Sequence, residues 1–420
     1  IATSKLSGSV TAITGHGLST VATSGSYTDL SNKPAAAVQW NVVTENSLAA
    51  SASNGYILAS PARTTVTLPA APTAGDVVKI NGVGTGGWLV NANTGQSFNT
   101  FEHIAGVTWT AHGSARYWSS VASSSDGVKL VAVEYNGQIY TSANSGVTWA
   151  AKASARLWND VASSSDGVKL VATVHAGQIY TSDDSGTTWT ARESSRWWNH
   201  VASSSDGVKL VATVSGGQIY TSADSGTTWT ARESSRSWSD IASSSDGVKL
   251  VAAVYNGQIY TSTDSGATWT ARDSSRAWNS VATSSDGVKL VAAVAGGQIY
   301  TSVDSGVTWT PQDSNRGWTA VASSADGNTL IAVTAGAGGG YIYTSTNSAE
   351  TWMPRGSAQL WACLASSSDG NKLVAGTSGE YIYTSAPIVL PTTLTGAAYS
   401  SIELVYIGNN QWVVAQKTVL

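Results

Sequence analysis

The chain has 420 residues, a formal net charge of −4 and only 11% charged residues, less than half the usual share. That balance supplies no basic field for nucleic acid and no polybasic patch for a membrane, and no apolar run approaches the roughly 20 residues of a membrane helix. Cys363 is the only cysteine, which excludes an intrachain disulfide and a Cys-based zinc site.

In chain order, residues 1–39 are rich in Ser, Thr, Ala and Gly and are expected to form a linker. The chain opens on Ile1 and its one methionine is Met353, so a processed or partial product is expected. The run Ala22-Thr-Ser-Gly-Ser-Tyr27-Thr-Asp29-Leu30-Ser-Asn-Lys33-Pro34 resembles a linker of bacteriophage tail fibres. Residues 40–100 predict a small β domain, with strands at Tyr56-Ile-Leu58 and Thr65-Val-Thr-Leu-Pro69. Asp76-Val-Val-Lys-Ile80-Asn-Gly82 leading to Trp88-Leu-Val90, and Glu403-Leu-Val-Tyr-Ile407-Gly408 leading to Trp412-Val-Val414, share one pattern and predict two paired hairpins. The expected domain is residues 40–100 plus 388–420, split by an insertion over 101–387. Small Gly-Trp β domains of this kind resemble those of phage tail fibres and spikes. The resemblance implies a homotrimer, other virion tail proteins as partners, and a place on a virion tail fibre; the alternative location is secreted.

The insertion is a repeat. Trp118, Trp158, Trp198, Trp238, Trp278 and Trp318 keep a 40-residue period, and Trp361 follows after 43 residues. Each unit reads as four short β-rich runs separated by Gly, Asp and Ser turn signals, which is one propeller blade. Seven Asp-Gly turns, at Asp126, Asp166, Asp206, Asp246, Asp286, Asp326 and Asp369, mark seven units. The seventh stops after Tyr383-Thr-Ser385, and Gly106-Val-Thr-Trp109 upstream supplies its missing strand. The fold class expected is all-β: a seven-bladed β-propeller of four-stranded blades, closed by an N-terminal strand and inserted into a small β domain.

Complete copies of Ser-x-Asp-x-Gly-x-Thr-Trp begin at Ser182, Ser222, Ser262 and Ser302. Asp184, Asp224, Asp264 and Asp304 are suited to bond the backbone of their own turns. Calcium would need several oxygens converging on one ion, and each turn offers about one carboxylate; no metal and no cofactor is expected. The pattern is similar to that of the Asp-box (sialidase-like) propeller families. That resemblance implies the fold and carries catalysis poorly, because one fold hosts many functions. Sialidases place single catalytic residues in particular blades, whereas Arg116, Arg156, Arg196, Arg236, Arg276 and Arg316 recur in register. Glu134 has no identifiable second carboxylate for glycosidic chemistry, and His103, His112, His175 and His200 lack metal-ligand spacing. The chain therefore reads as a non-enzyme.

With the Arg-x-Trp run as inner strand A, the Asp-Gly and Asp-box turns share one face. The B–C hairpins and D–A linkers share the other. The second face varies from unit to unit, at Tyr117, Trp197, Tyr135, Tyr255 and His175 among others, and binding usually lives on such loops. The Arg-x-Trp Trp and Arg either form a stacking wall with donor forks for a sugar or pack between blades. The candidate ligand set is the six arginines with Tyr117, Trp197, Tyr135, Tyr255 and His175. The function expected is a tail-fibre receptor-binding protein gripping a host surface glycan. The alternatives are a secreted Asp-box glycosidase (sialidase or depolymerase) and a protein-docking scaffold.

Overall fold

The structure, a computed structural model, describes residues 38–99, 106, 108–336, 339–385, 393–408 and 410–418. The tail-fibre-like run of residues 22–34 and His103 lie outside the described residues. Contacts divide the chain into two compact units, Ile1–His103 with Val389–Leu420 and Ile104–Ile388. Every regular element among the described residues is a β-strand.

In the larger unit each repeat folds into an antiparallel meander. Trp198–Ser203 pairs with Leu210–Val214, that strand with Ile219–Ser222, and that with Thr230–Ala231. Among the described residues seven such four-stranded meanders follow one another. The last borrows its outer strand from Trp109–Ser123, which pairs Trp109 with Ser385 and Thr110 with Thr384 before running on as the inner strand of the first. The A–B turns close the circle. Ser125 N–H donates to Ser165 O, Ser165 to Ser205, Ser205 to Ser245, Ser245 to Ser285, Ser285 to Ala325, Ala325 to Ser368 and Ser368 back to Ser125, at 2.7–2.8 Å. A ring sealed in this way leaves no long open strand edge.

The B strands explain the packing. Leu170–Val174 is buried at all five positions, because one side of the strand faces the preceding meander and the other the following one; strands covered on both faces read as continuous apolar runs. Each A-strand Trp fills the gap between neighbours. Trp158 packs with Val131, Val133 and Ile139 of the unit before it and Leu170 of its own. It meets Tyr180 edge-on at 5.2 Å between ring centroids, a geometry aromatic quadrupoles favour.

The smaller unit is built differently from the expectation. Gln39–Val43, Asn54–Leu58 and Val77–Gly82 lie parallel in one sheet. Ser47–Ala49, Thr64–Thr67 and Trp88–Asn91 lie parallel in a second. The chain alternates between the two sheets, making three stacked coils. Ser401–Gly408 then adds antiparallel to Val77–Gly82 and forms a true hairpin with Gln411–Thr418. The expected hairpin over residues 76–90 is thus corrected: its two strands sit in different sheets. Gly84 and Gly86 carry the crossing flat against the coil before, where a Cβ would come within 2.0 Å of Ser60 O and of the Ala62 backbone. Trp88 and Trp412 are buried in this core, their indole N–H groups donating to Ser400 O at 3.1 Å and Gln96 Oε1 at 3.0 Å.

Candidate functional site

The Arg-x-Trp tryptophans are buried throughout, so the stacking-wall reading of these rings is overturned: they are the wedges between meanders. Their arginines lie partly exposed above them. Each guanidinium sits over the C-strand tyrosine of its own unit, with Arg116 on Tyr140 at 4.4 Å, Arg156 on Tyr180 at 4.7 Å, Arg196 on Tyr220 at 4.8 Å, Arg236 on Tyr260 and Arg276 on Tyr300 at 4.5 Å, and Arg316 on Tyr343 at 4.7 Å. Such stacking is worth about 0.5–2 kcal/mol. Four of them also pair with an acid three residues earlier: Arg196 with Glu193, Arg236 with Glu233, Arg276 with Asp273 and Arg316 with Asp313, at 3.1–3.5 Å. Arg116 has Gly113 at that position and instead takes Glu134 at 3.0 Å. The distinctive placement of Glu134 in the sequence is explained by this exchange.

The variable positions form a single circuit on one face, the B–C hairpin of one unit alternating with the D–A linker of the next. Trp118 opposite Glu134 puts Tyr117 beside Tyr135. Tyr135 opposes Leu157, and His175 N–H donates to Leu157 O at 2.8 Å. The His175 ring then stacks on Trp197, with centroids 5.4 Å apart. Tyr117, Tyr135, Leu157, His175 and Trp197 are therefore consecutive. Tyr117 and Trp197 are 63% and 60% exposed and Tyr135 is 47% exposed; rings left this open on a rigid frame are unusual for monomer surfaces. Beyond Trp197 the circuit passes small residues at Ser215, Ser237, Ala277, Ala295 and Gly317, with the exposed Tyr255 among them and the exposed Leu360 before Ser378 returns it to Tyr117. Tyr255 is exposed but stands apart from the arc.

Two residues inward from each buried Trp, the A strands carry a second feature that the sequence reading missed. Ser120, Asp160, His200, Asp240 and Ser280 come from five successive units and join side chain to side chain. Ser120 Oγ bonds Asp160 Oδ1, and Ser280 Oγ donates to Asp240 Oδ2 at 2.8 Å. His200 Nδ1 lies 3.5 Å from Asp160 Oδ2 and 3.7 Å from Asp240 Oδ1. The carboxylates also accept inner-strand amides, Asp160 from Val161 and Val201 and Asp240 from Ile241 and Val281, at 2.8–2.9 Å. Burial acts to lower the His200 pKa, and the Asp160 hydrogen bond with the charges of both carboxylates outweighs it, raising the value above the usual histidine range. Burial pushes the Asp240 carboxyl up as well. The available signal was one repeat position, two after the Trp, reading Ser, Asp, His, Asp, Ser at 40-residue steps.

No protein-family profile matches the chain, and no curated protein matches it. Solved structures do. YCF48 from Cyanidioschyzon merolae is 16% identical and superposes with a TM-score of 0.53 over 66% of this chain and 98% of its own. YCF48 bound to D1 peptide is 16% identical, with a TM-score of 0.54 over 67% of this chain and 96% of its own. The larger unit is a β-propeller. At this identity the likeness shows the fold alone.

On the other face of the propeller the Ser-x-Asp-x-Gly turns are self-contained. Asp184 Oδ1 accepts Ser182 Oγ and Thr188 N–H at 2.8 Å, and Oδ2 accepts Thr188 Oγ1 at 2.7 Å. The Thr188 backbone and side-chain bonds hold its carboxyl at about 2. Asp224, Asp264 and Asp304 repeat these contacts, and Asn144 performs the same task with Thr148. Carboxylates already filled by their own turn have little left for an ion. Among the described residues no group of three His, Cys, Asp or Glu is arranged to hold a metal. Clefts of ≈ 270 and ≈ 360 Å³ between blades open on this face, lined by repeat residues such as Lys209, Thr221, Arg232 and Asp264, or Thr110, His112, Leu130 and Lys372. They recur at equivalent grooves as a consequence of blade spacing.

Proposed function

We propose that the propeller is a non-catalytic recognition module that binds a surface glycan through the arc Tyr117, Tyr135, Leu157, His175 and Trp197. The observation that carries this reading is the unbroken run of neighbouring variable side chains from Tyr117 to Trp197, which holds the two most exposed aromatic rings of the propeller among the described residues. Flat rings offer the C–H face of a sugar an apolar platform, and their hydroxyl and ring N–H edges supply hydrogen bonds. The five ion-paired arginines, Arg116, Arg196, Arg236, Arg276 and Arg316, act beneath this platform, fixing the loops through Tyr stacks and ion pairs. The reading places the chain outside the cell on a fibre-like carrier, a context supported by the resemblance of residues 22–34 to tail-fibre linkers. Trimerisation with other tail components belongs to the same proposal.

Binding of full-length chain to a glycan array and to host cells tests it. Tyr117→Ala with Trp197→Ala should abolish retention while the unfolding temperature stays near wild type. Retention by the double variant rejects the arc. Release of reducing sugar from a bound polysaccharide rejects the non-catalytic assignment and favours a glycosidase. One observation favours a second reading: a structural neighbour is solved with a bound peptide, so a protein-docking scaffold is the alternative to a glycan binder.

A further inference from the structure

Five of the six register arginines are neutralised by a carboxylate; Arg156 is the exception. Ala153 stands where Glu193, Glu233, Asp273 and Asp313 stand, and Val174 stands where Glu134 stands. Among the described residues Arg156 has no hydrogen bond or ion pair to its guanidinium; its one contact is the Tyr180 ring at 4.7 Å. It is exposed, and its linker, Ala151-Lys-Ala-Ser-Ala-Arg156, carries two cations and no acid. The position matters as much as the charge. Arg156 pairs in register with Gly137 and is followed by Leu157, which lies between Tyr135 and His175. The unpaired cation is thus carried by the residue that precedes Leu157 of the arc, on the strand that pairs with the Tyr135 hairpin.

We infer that Arg156 with Tyr135, His175 and Trp197 forms one subsite for a carboxylate-bearing saccharide, of the uronic acid type. The inference rests on the glycan reading above and narrows it: one site in one sector, not a site repeated in every blade. A planar guanidinium held by a ring on one face still presents donors in a fork that matches a carboxylate. The neighbouring rings serve the sugar's C–H face. An acidic peptide would satisfy the charge, but peptide anchors draw their affinity from enclosed, desolvated pockets. The rings here are an open wall.

Full-length chain is measured by interferometry against polygalacturonate, alginate and a sialylated glycan, against neutral dextran and galactomannan, and against poly-glutamate. Acidic saccharides should bind best, more weakly at high salt. Arg156→Gln should weaken them on the order of tenfold or more with only the small fall in unfolding temperature that loss of the Tyr180 stack brings, and Arg156→Lys should recover part of the loss in binding. Equal binding of acidic saccharide by Arg156→Gln and wild type, or preference for the neutral polymers, overturns the inference and leaves the glycan reading standing. Poly-glutamate binding that matches the acidic saccharides replaces the sugar with a peptide. Failure of every saccharide removes the glycan reading itself.

Discussion

Trp198 links the repeat to the ring. It is buried against the preceding blade and meets Tyr220 at 5.1 Å and Trp229 at 6.2 Å. Trp198→Ala should therefore cost about 3–5 kcal/mol, read as a lowered denaturant midpoint. Ala349 predicts a gain. It occupies the turn position filled by Gly226 at φ 83°, but at φ 76° with a Cβ, and its N–H donates to Ser345 Oγ at 3.0 Å. Left-handed backbone costs a non-glycine residue about 1–2 kcal/mol, part of which glycine's greater unfolded-state entropy offsets. Ala349→Gly should stabilise by about 0.5–1 kcal/mol, measured by chemical denaturation. At this scale the sequence is informative where a repeat position deviates. Arg156 is recognisable from Ala153, because neighbouring copies show what normally stands there. That the arginines stack on tyrosines was not legible, since the partners lie on different strands about 24 residues apart.

The inner strands are joined by the His200 bracket. Because its pKa is raised, the stability it contributes is complete below its unfolded value of about 6.5 and is lost as pH rises through the folded value. Thermal unfolding followed from pH 6 to 9 should show this decline in wild type. His200→Ala should lose the decline and be destabilised by about 1–3 kcal/mol, because two carboxylates then share a site without their cation and solvent screens only part of the cost. An unchanged pH slope in the variant would assign the dependence to other groups. The four strands of each blade were legible from turn chemistry. The smaller unit was not, because parallel stacking between successive coils is set by contacts 15 to 24 residues apart. The glycines of residues 82–87 signal a turn equally well for a hairpin and for a crossing between sheets.

At the scale of the whole propeller, near-identical units build two unlike faces. The Asp turns satisfy their own groups and repeat almost without change, so that face specifies structure. The hairpin face varies its side chains from unit to unit, and its two most exposed rings, Tyr117 and Trp197, and one unpaired arginine fall on the first three blades. This asymmetry was hidden in the sequence: Tyr117, Tyr135, Leu157, His175 and Trp197 become neighbours only when hairpins and linkers alternate around the circuit. Hydrogen–deuterium exchange of the full chain, with and without the polysaccharide it retains, tests the division most directly. Protection is expected at residues 116–118, 134–137, 156–158, 174–177 and 196–198. Protection centred on the Asp turns at residues 184–188, 224–228 and 264–268 would contradict it.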